Sequence, residues 1–407
     1  MMHRYLIAIA AALFLLLSLW PLPAEVMAAP ETQNTQAPTS QADPLNGVVR
    51  QQAEEVPSEQ VEQYWDRLME NYGEFLPIEQ TPTLMEMLLP GGEKLNPVNV
   101  IKGLAGYFIR EIILNGKLLG SIVILAILSV MLETLQSAFV RAEVSKIAYG
   151  ICYMVLIIIA FNSFHIAITY ANDAIADMIH FMIAMIPVLL TMLASMGNVI
   201  SVTVLHPLIV FMIHTVGTFI YVFVFPLLFF SAVLHIVSSL SEKYKVTQLA
   251  NMLRTISIAG LTIMLTIFLG VISVQGAAGG VADGVTLKTA KYITGQFVPV
   301  VGRMFAEASD TVISASMLIK NAVGLAGVII ILLLCAFPAM KILALAFIYN
   351  LCAAVMQPLG TSPIGSCLQT IGKSLIYVFA ALATVGLMFF FAITVMITVG
   401  NVSLMVR

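Results

Sequence analysis

The sequence predicts an all-α, polytopic integral membrane helix bundle with an internal duplication, preceded by a signal peptide and a small acidic extracytoplasmic segment. Three observations predict it. Hydrophobic residues make up 60% of the 407 and charged residues only 10%, with a mean hydropathy of +0.98. A water-soluble surface needs roughly 25% of residues charged, so most of this chain faces lipid or other helices. The apolar runs are long enough to cross a bilayer, and short motifs recur in order along them.

The chain opens with a leader over residues 1–29. Arg4 precedes the apolar run Leu6–Trp20, Pro21 and Pro23 break it, and Val26-Met27-Ala28-Ala29 offers small residues for cleavage. That is the three-part layout of a secretory signal peptide. The other reading, an uncleaved anchor, meets a run that is short for a hydrocarbon core of about 30 Å.

Residues 30–100 form the acidic segment. From Glu31 to Pro97 there are twelve acidic residues against three basic ones, Arg50, Arg67 and Lys94. Pro30–Gln52 is polar linker without a core. Ser58–Tyr72 is predicted helical, because Val61, Trp65, Leu68, Met69 and Tyr72 recur on one face while Glu59, Glu62, Asp66 and Glu70 fall mostly elsewhere. Such a helix packs on the membrane body or binds a partner. Its acidity argues against anionic lipid headgroups. Thr81–Pro97, broken by prolines and glycines, reads as loop plus short helix.

From Ile101 onward basic residues outnumber acidic ones, fifteen to nine. Apolar runs between charged residues mark the spans. Residues 101–173 hold the first two, Lys117–Val140 and Ile147–Ala171. Ile175–Gly197, Val199–Leu240, Asn251–Gln275, Asn321–Met356 and Ser374–Gly400 follow. Val199–Leu240 would make about 60 Å of helix, twice the hydrocarbon thickness. It and Asn321–Met356 are therefore expected to fold as hairpins or broken pairs, with Pro226 and Pro338 as the breaks. With the leader removed, the acidic segment lies outside, Arg141–Lys146 and Glu242–Arg254 lie in the cytoplasm, and the Ala171–Asp177 connection lies outside. Lys102, Arg110 and Lys117 then sit on the outer side, against the positive-inside rule.

The duplication pairs residues 174–284 with 285–407. Ile186-Pro187-Val188-Leu189 recurs as Val298-Pro299-Val300-Val301, and Phe225-Pro226 as Phe337-Pro338. Leu253-Arg254-Thr255-Ile256 recurs as Leu368-Gln369-Thr370-Ile371. Repeats of this size build many transporters and pores, with broken helices at their interface; here the breaks are Pro187, Pro226, Pro299 and Pro338. The orientation of the repeats is left open.

Chemistry-bearing residues are few. Asp173 and Asp177, with Arg303, Glu307, Asp310 and Lys320 from the polar stretch Ala282–Lys320, are candidates to line a pathway. The plainer reading of that stretch is an amphipathic surface helix. Gly276–Gly284 lacks a phosphate-loop ending and reads as a flexible connector. Five of the six histidines fall between His165 and His235 without metal-ligand spacing, so they suit a pore face or interhelical hydrogen bonds. Cys152, Cys335, Cys352 and Cys367 form no C-x-x-C pair and read as small apolar packers. No catalytic, cofactor-binding or metal site is predicted, and no nucleic-acid surface. Gly260, Gly324-x-x-Gly327 and Ala344-x-Ala346 suit close helix contacts.

In feature order the chain resembles the stage III sporulation protein AE family: leader, acidic segment with Tyr64-Trp65-Asp66-Arg67-Leu68, then the duplicated body. The body carries Ile186-Pro187-Val188-Leu189, Phe225-Pro226 and Gln296-Phe297-Val298-Pro299-Val300-Val301-Gly302. The resemblance implies a polytopic core component, permease-like, of a secretion-like channel in the mother-cell membrane around the forespore. Its implied partners are the bilayer, the other subunits of that complex, a separate ATPase and further copies of the chain. It implies a need for the protein in forespore development and late forespore gene expression. It carries over no site residues and no cofactor. Two other readings stay open: a stand-alone proton-coupled transporter of a small solute, working through Asp173, Asp177 or Glu307, and a passive scaffold.

Overall fold

A computed structural model describes residues 59–76, 97–138, 143–240, 246–297, 301–359 and 363–406. The leader, the linker and most of Thr81–Pro97 lie outside the described residues. Every described element is helical: α1 (Glu59–Tyr72), α2 (Pro97–Leu114), α3 (Gly116–Ala138), α4 (Glu143–Ser195), α5 (Val199–Phe219), α6 (Phe225–Leu240), α7 (Thr247–Phe297), α8 (Val301–Met356) and α9 (Pro363–Val406). A 3-10 turn, Gly73–Phe75, closes α1.

Five stretches are long and apolar enough to cross a membrane: Ile147–Ser195, Val199–Ser238, Thr247–Ala290, Val312–Met356 and Pro363–Asn401. A sixth is the pair α2 and α3, bent by 50° at Asn115. The five run to 39–49 residues, or about 60–75 Å at 1.5 Å per residue.

Three expectations are corrected here. The Ala171–Asp177 connection is not a loop, because α4 runs through it. Asp173, Asp177 and His180, at helical spacing, form an exposed stripe, while Ala171, Ala174, Ile175 and Met178 are buried on the opposite face. The charges mark a face of the helix and not its end. Likewise Gly276–Gly284 is no flexible connector but part of α7, and Gly276 and Gly279 are contact points. A Cβ at Gly276 would lie 2.5 Å from Val395 Cγ1, and one at Gly279 would lie 2.7 Å from Ser201 Oγ.

Neither long stretch folds back at its proline. Pro338 sits within an unbroken α8. Ahead of Pro226 the helix widens into a π turn, Ile220–Val224, and then continues. A wider turn accommodates the missing N–H and the ring's clash with the preceding turn. Pro187 also lies inside a helix, α4, and Pro299 lies outside the described residues. The chain does reverse at Met196-Gly197-Asn198. There Gly197 takes φ +84° and closes α4 through Gly197 N–H to Ala194 O at 2.9 Å.

Helix α9 is the centre of the bundle and packs against α8, α7, α4 and α6. Contacts fix the directions. Tyr349 donates to Ser163 Oγ at 2.8 Å, Gly327 meets Met185 and Gly324 meets Ile397, so α8 runs opposite to α4 and α9. Arg254 lies over the Tyr377 ring and Phe268 beside Phe389, so α7 runs with α9. The glycines and alanines singled out for close contact are all used: Gly260 meets Phe223, and Ala344 and Ala346 are buried.

Candidate functional site

Helix α1 lies on the membrane body, between α4 and α8. Its apolar stripe decides this: Val61, Trp65 and Leu68 are buried, Trp65 to 2% exposure. Tyr64 meets Phe181 edge-on at 5.4 Å, and Tyr72 stacks on Phe337 at 3.9 Å with the rings nearly parallel. Tyr107 of α2 closes the aromatic cluster against Tyr72, Phe75 and Phe337. Burying such side chains contributes about 1.5–3 kcal/mol each, and aromatic pairing adds about 0.5–1.5 kcal/mol per contact. Burial pushes the Tyr64 and Tyr72 phenols above their ordinary range, so both stay neutral donors. The acidic residues Glu59, Asp66 and Glu70 face outward.

Beneath α1 is a small open groove of about 80 Å³, lined by Tyr64, Arg67, Asn71 and Tyr72 from α1, Asp177 from α4 and Pro338 from α8. The Arg67 guanidinium lies 4.9 Å from the Tyr64 ring centroid. Asp177, one of the candidate pathway residues, is thus brought to α1. Asp173 lies one turn away on the same face of α4. At the side of the dock, Arg110 pairs with Glu74 at 2.6 Å.

Lys320 sits elsewhere, at the far end of the bundle. It is 0% exposed, and its ammonium donates to Ile397 O at 2.7 Å and to Asn401 Oδ1 at 3.1 Å. Gly400 leaves the space its Nζ occupies. The backbone of α8 carries Arg303, Glu307 and Asp310 through its first turns, but their side chains lie outside the described residues.

Two polar sets tie helices together; the first was not legible in the sequence, and the second realises the interhelical bonding expected of the histidines at His235 alone. Asp283 of α7, 1% exposed, accepts the backbone N–H of Ile200 and of Ser201, each at 2.9 Å. It caps α5 in place of the local Asn198, whose side chain makes no cap bond. At the opposite end, His235 reaches Asn251 Oδ1 at 3.1 Å and Ser231 donates to Ala250 O at 2.7 Å, joining α6 to α7. Of the five grouped histidines only His235 makes such an interhelical bond; His165, His180, His206 and His214 are exposed. Among the described residues no group of three or more His, Cys, Asp or Glu is placed to hold a metal.

Long apolar helices, close glycine contacts and buried polar ties between helices define a multi-pass helical membrane protein. Comparison with known proteins makes the class specific. The profile of stage III sporulation protein AE matches residues 80–400. The stage III sporulation protein AE of Bacillus subtilis (strain 168) is 50% identical over 374 residues, covering 92% of this chain and 94% of that protein. The chain belongs to the stage III sporulation protein AE family, and membership implies a role in sporulation. No solved structure matches it.

Proposed function

We propose that the chain is a polytopic subunit of a secretion-like channel linking mother cell and forespore during endospore formation. In this reading it is needed for forespore development and late forespore gene expression. The observation that carries it is the 50% identity over nearly the whole length of a stage III sporulation protein. The protein would sit in the mother-cell membrane around the forespore, its leader removed and its acidic segment extracytoplasmic. Other subunits, further copies of the chain and a separate ATPase would complete the complex.

The internal duplication gains support from helix direction. Phe225-Pro226 and Phe337-Pro338 both lie within long helical stretches that run the same way, and each stretch is followed by a returning long helix, α7 or α9. That pattern favours parallel repeats. Asp173, Asp177, Arg303, Glu307 and Asp310 would line the conduit or its subunit contacts, whereas the enclosed Lys320 would serve as a tie between α8 and α9.

The passive-scaffold alternative loses weight because α1 is packed into the body it would merely be anchored by. The exposed Asp173 and Asp177, midway along an apolar helix, are what favour the stand-alone transporter. Deletion of the gene in a spore former separates these readings. Arrested forespores without late forespore reporter expression, rescued by this chain, are expected, together with co-purification of an ATPase subunit. Normal forespores would refute the channel reading, and gradient-driven solute uptake by the purified chain alone in liposomes would establish the transporter.

A further inference from the structure

Ionisable side chains are unevenly placed along the body. Residues 255–282 of α7, 321–340 of α8 and 374–400 of α9 contain no Asp, Glu, His, Lys or Arg. Residues 147–219, which cover most of α4 and all of α5, contain six: His165, Asp173, Asp177, His180, His206 and His214. All six are exposed. On α4 they recur at helical spacing and form one stripe. On α5 the Tyr221 hydroxyl donates to Asn172 O at 3.1 Å, beside Asp173, and His214 lies two turns back on the face of Tyr221. Gly217 meets Ile179, which sets His214 within about one turn of His180 in depth. The two helices therefore border one polar groove. Lys341 of α8 stands at its other edge, 5.1 Å from the Tyr170 ring centroid.

The outer surface at the same depths is apolar. Val204, Phe211 and Val222 form the next face of α5, with Phe211 at 65% and Val222 at 72% exposure. Gly260 meets Phe223 and Gly279 meets Ser201, so Ile263, Ile267 and Val274 of α7, all exposed, lie level with that face. The groove is thus a polar strip set in an apolar belt, not a segment standing clear of the bilayer. Lipid tails do not suit it, because carboxylates facing hydrocarbon are expensive. Dry contact with a second copy does not suit it either. Rotational symmetry about an axis along the helices sets each residue near its own counterpart at one depth, which would bury Asp173 and Asp177 against like charge. Water satisfies them all.

We propose that the α4–α5 groove is the wall of a water-filled path reaching into the apolar belt, wide enough for small hydrophilic solutes. The same α4 stripe is apolar and exposed at Ile147, Ile151 and Ile158, so the path stops short of the start of α4. This deepens the channel reading of Asp173 and Asp177 and rests on it only for what passes; the presence of water is tested separately from forespore development.

The test introduces single cysteines into the full-length chain, produced in a sporulating strain that lacks its own copy. Membrane vesicles are opened by freeze–thaw, so that a small, permanently charged methanethiosulfonate reaches both sides. The wild-type chain, with its four free cysteines, sets the background, and complete reaction in denaturant normalises each rate. The thiolate is the reacting form and needs water. His165→Cys, Asp173→Cys and His214→Cys should therefore react roughly tenfold or more faster than Ile151→Cys, Phe211→Cys and Val222→Cys. The side chains replaced all point outward, and a detergent melt close to wild type confirms that each variant folds. Rates within about threefold of one another would overturn the proposal. Uniformly fast reaction would place this part of the body outside the bilayer, and uniformly slow reaction would mean that lipid or another protein covers the groove. Forespore development scored in the strain without the chain decides the channel reading independently.

Discussion

Asp283 accepts the backbone N–H of Ser201 at 2.9 Å across 82 residues of chain, and its second oxygen takes the N–H of Ile200. One carboxylate therefore satisfies two of the four orphan donors at the start of α5 and lies where the helix dipole favours negative charge. It also pins the α4–α5 turn to α7. Asp283→Ala leaves the buried Ser201 amide without an acceptor, at about 1–3 kcal/mol, and frees the more exposed Ile200 amide to water. The variant should unfold well below wild type in a detergent thermal melt, with Asp283→Asn in between. An unchanged melting temperature for the alanine variant would show that the cap contributes nothing.

Two glycines of α7 should respond oppositely to the same substitution. Nothing lies within 4 Å of a Cβ built at Gly270, whereas one at Gly276 meets Val395 at 2.5 Å and Val399 at 3.1 Å. Gly270→Ala should be neutral or stabilising by up to about 1 kcal/mol, through helix propensity alone. Gly276→Ala should cost about 1–3 kcal/mol, because α7 and α9 must move apart. Equal melting temperatures for the two variants would mean that the α7–α9 contact is not close.

Much of this arrangement is legible in the sequence. The stripe Val61, Trp65, Leu68 both placed α1 and named its buried face. Gly197 marked the end of α4, and the small residues Gly324 and Gly327 marked real helix contacts. Where the reading went astray, composition stood in for geometry. Asp173 and Asp177 looked like a span boundary because charge lowers hydropathy, yet their spacing of four puts them on one side of a continuous helix. Gly276–Gly284 looked flexible because glycine disfavours helix, but the close packing of Gly276 on Val395 and of Gly279 on Ser201 offsets that preference. The Asp283 cap has no local signature, since its partners lie more than 80 residues away. Asp177 was singled out for its charge. What gives it chemistry is Arg67, which only the docking of α1 brings near.

Lys320 and Gly400 should be energetically coupled. The ammonium occupies space that a methyl group at Gly400 would invade, and the same methyl would stand 3.1 Å from Leu193 Cδ2. Fully buried, Lys320 cannot swing aside, so Gly400→Ala should cost about 1–3 kcal/mol. Lys320→Met, one atom shorter and uncharged, removes a buried ammonium whose partners are both neutral, and should fall within about 1 kcal/mol of wild type or exceed it. In that background Gly400→Ala should become nearly harmless. A double-mutant cycle reads the difference, and a coupling energy below about 0.5 kcal/mol would show the two sites to be independent.

The docked state of α1 rests on its aromatic anchors rather than on its charges. Trp65 is almost wholly enclosed and Tyr72 stacks on Phe337, while Glu59, Asp66 and Glu70 face away from the body. Trp65→Ala should therefore cost about 3–5 kcal/mol of docking, and Phe337→Ala should loosen the same end of the helix from the other side of the contact. Asp66→Ala, on the exposed face, should change stability by no more than about 0.5 kcal/mol. Limited proteolysis of the purified protein distinguishes them: cleavage within α1 should accelerate in Trp65→Ala and Phe337→Ala and not in Asp66→Ala. The bundle should stay protease-resistant in all three, because α9 joins α8, α7, α4 and α6 through contacts that do not involve α1. If α1 in the Trp65→Ala variant is cut no faster than in wild type, the stripe does not hold it, and its outward carboxylates become the place to look for what does.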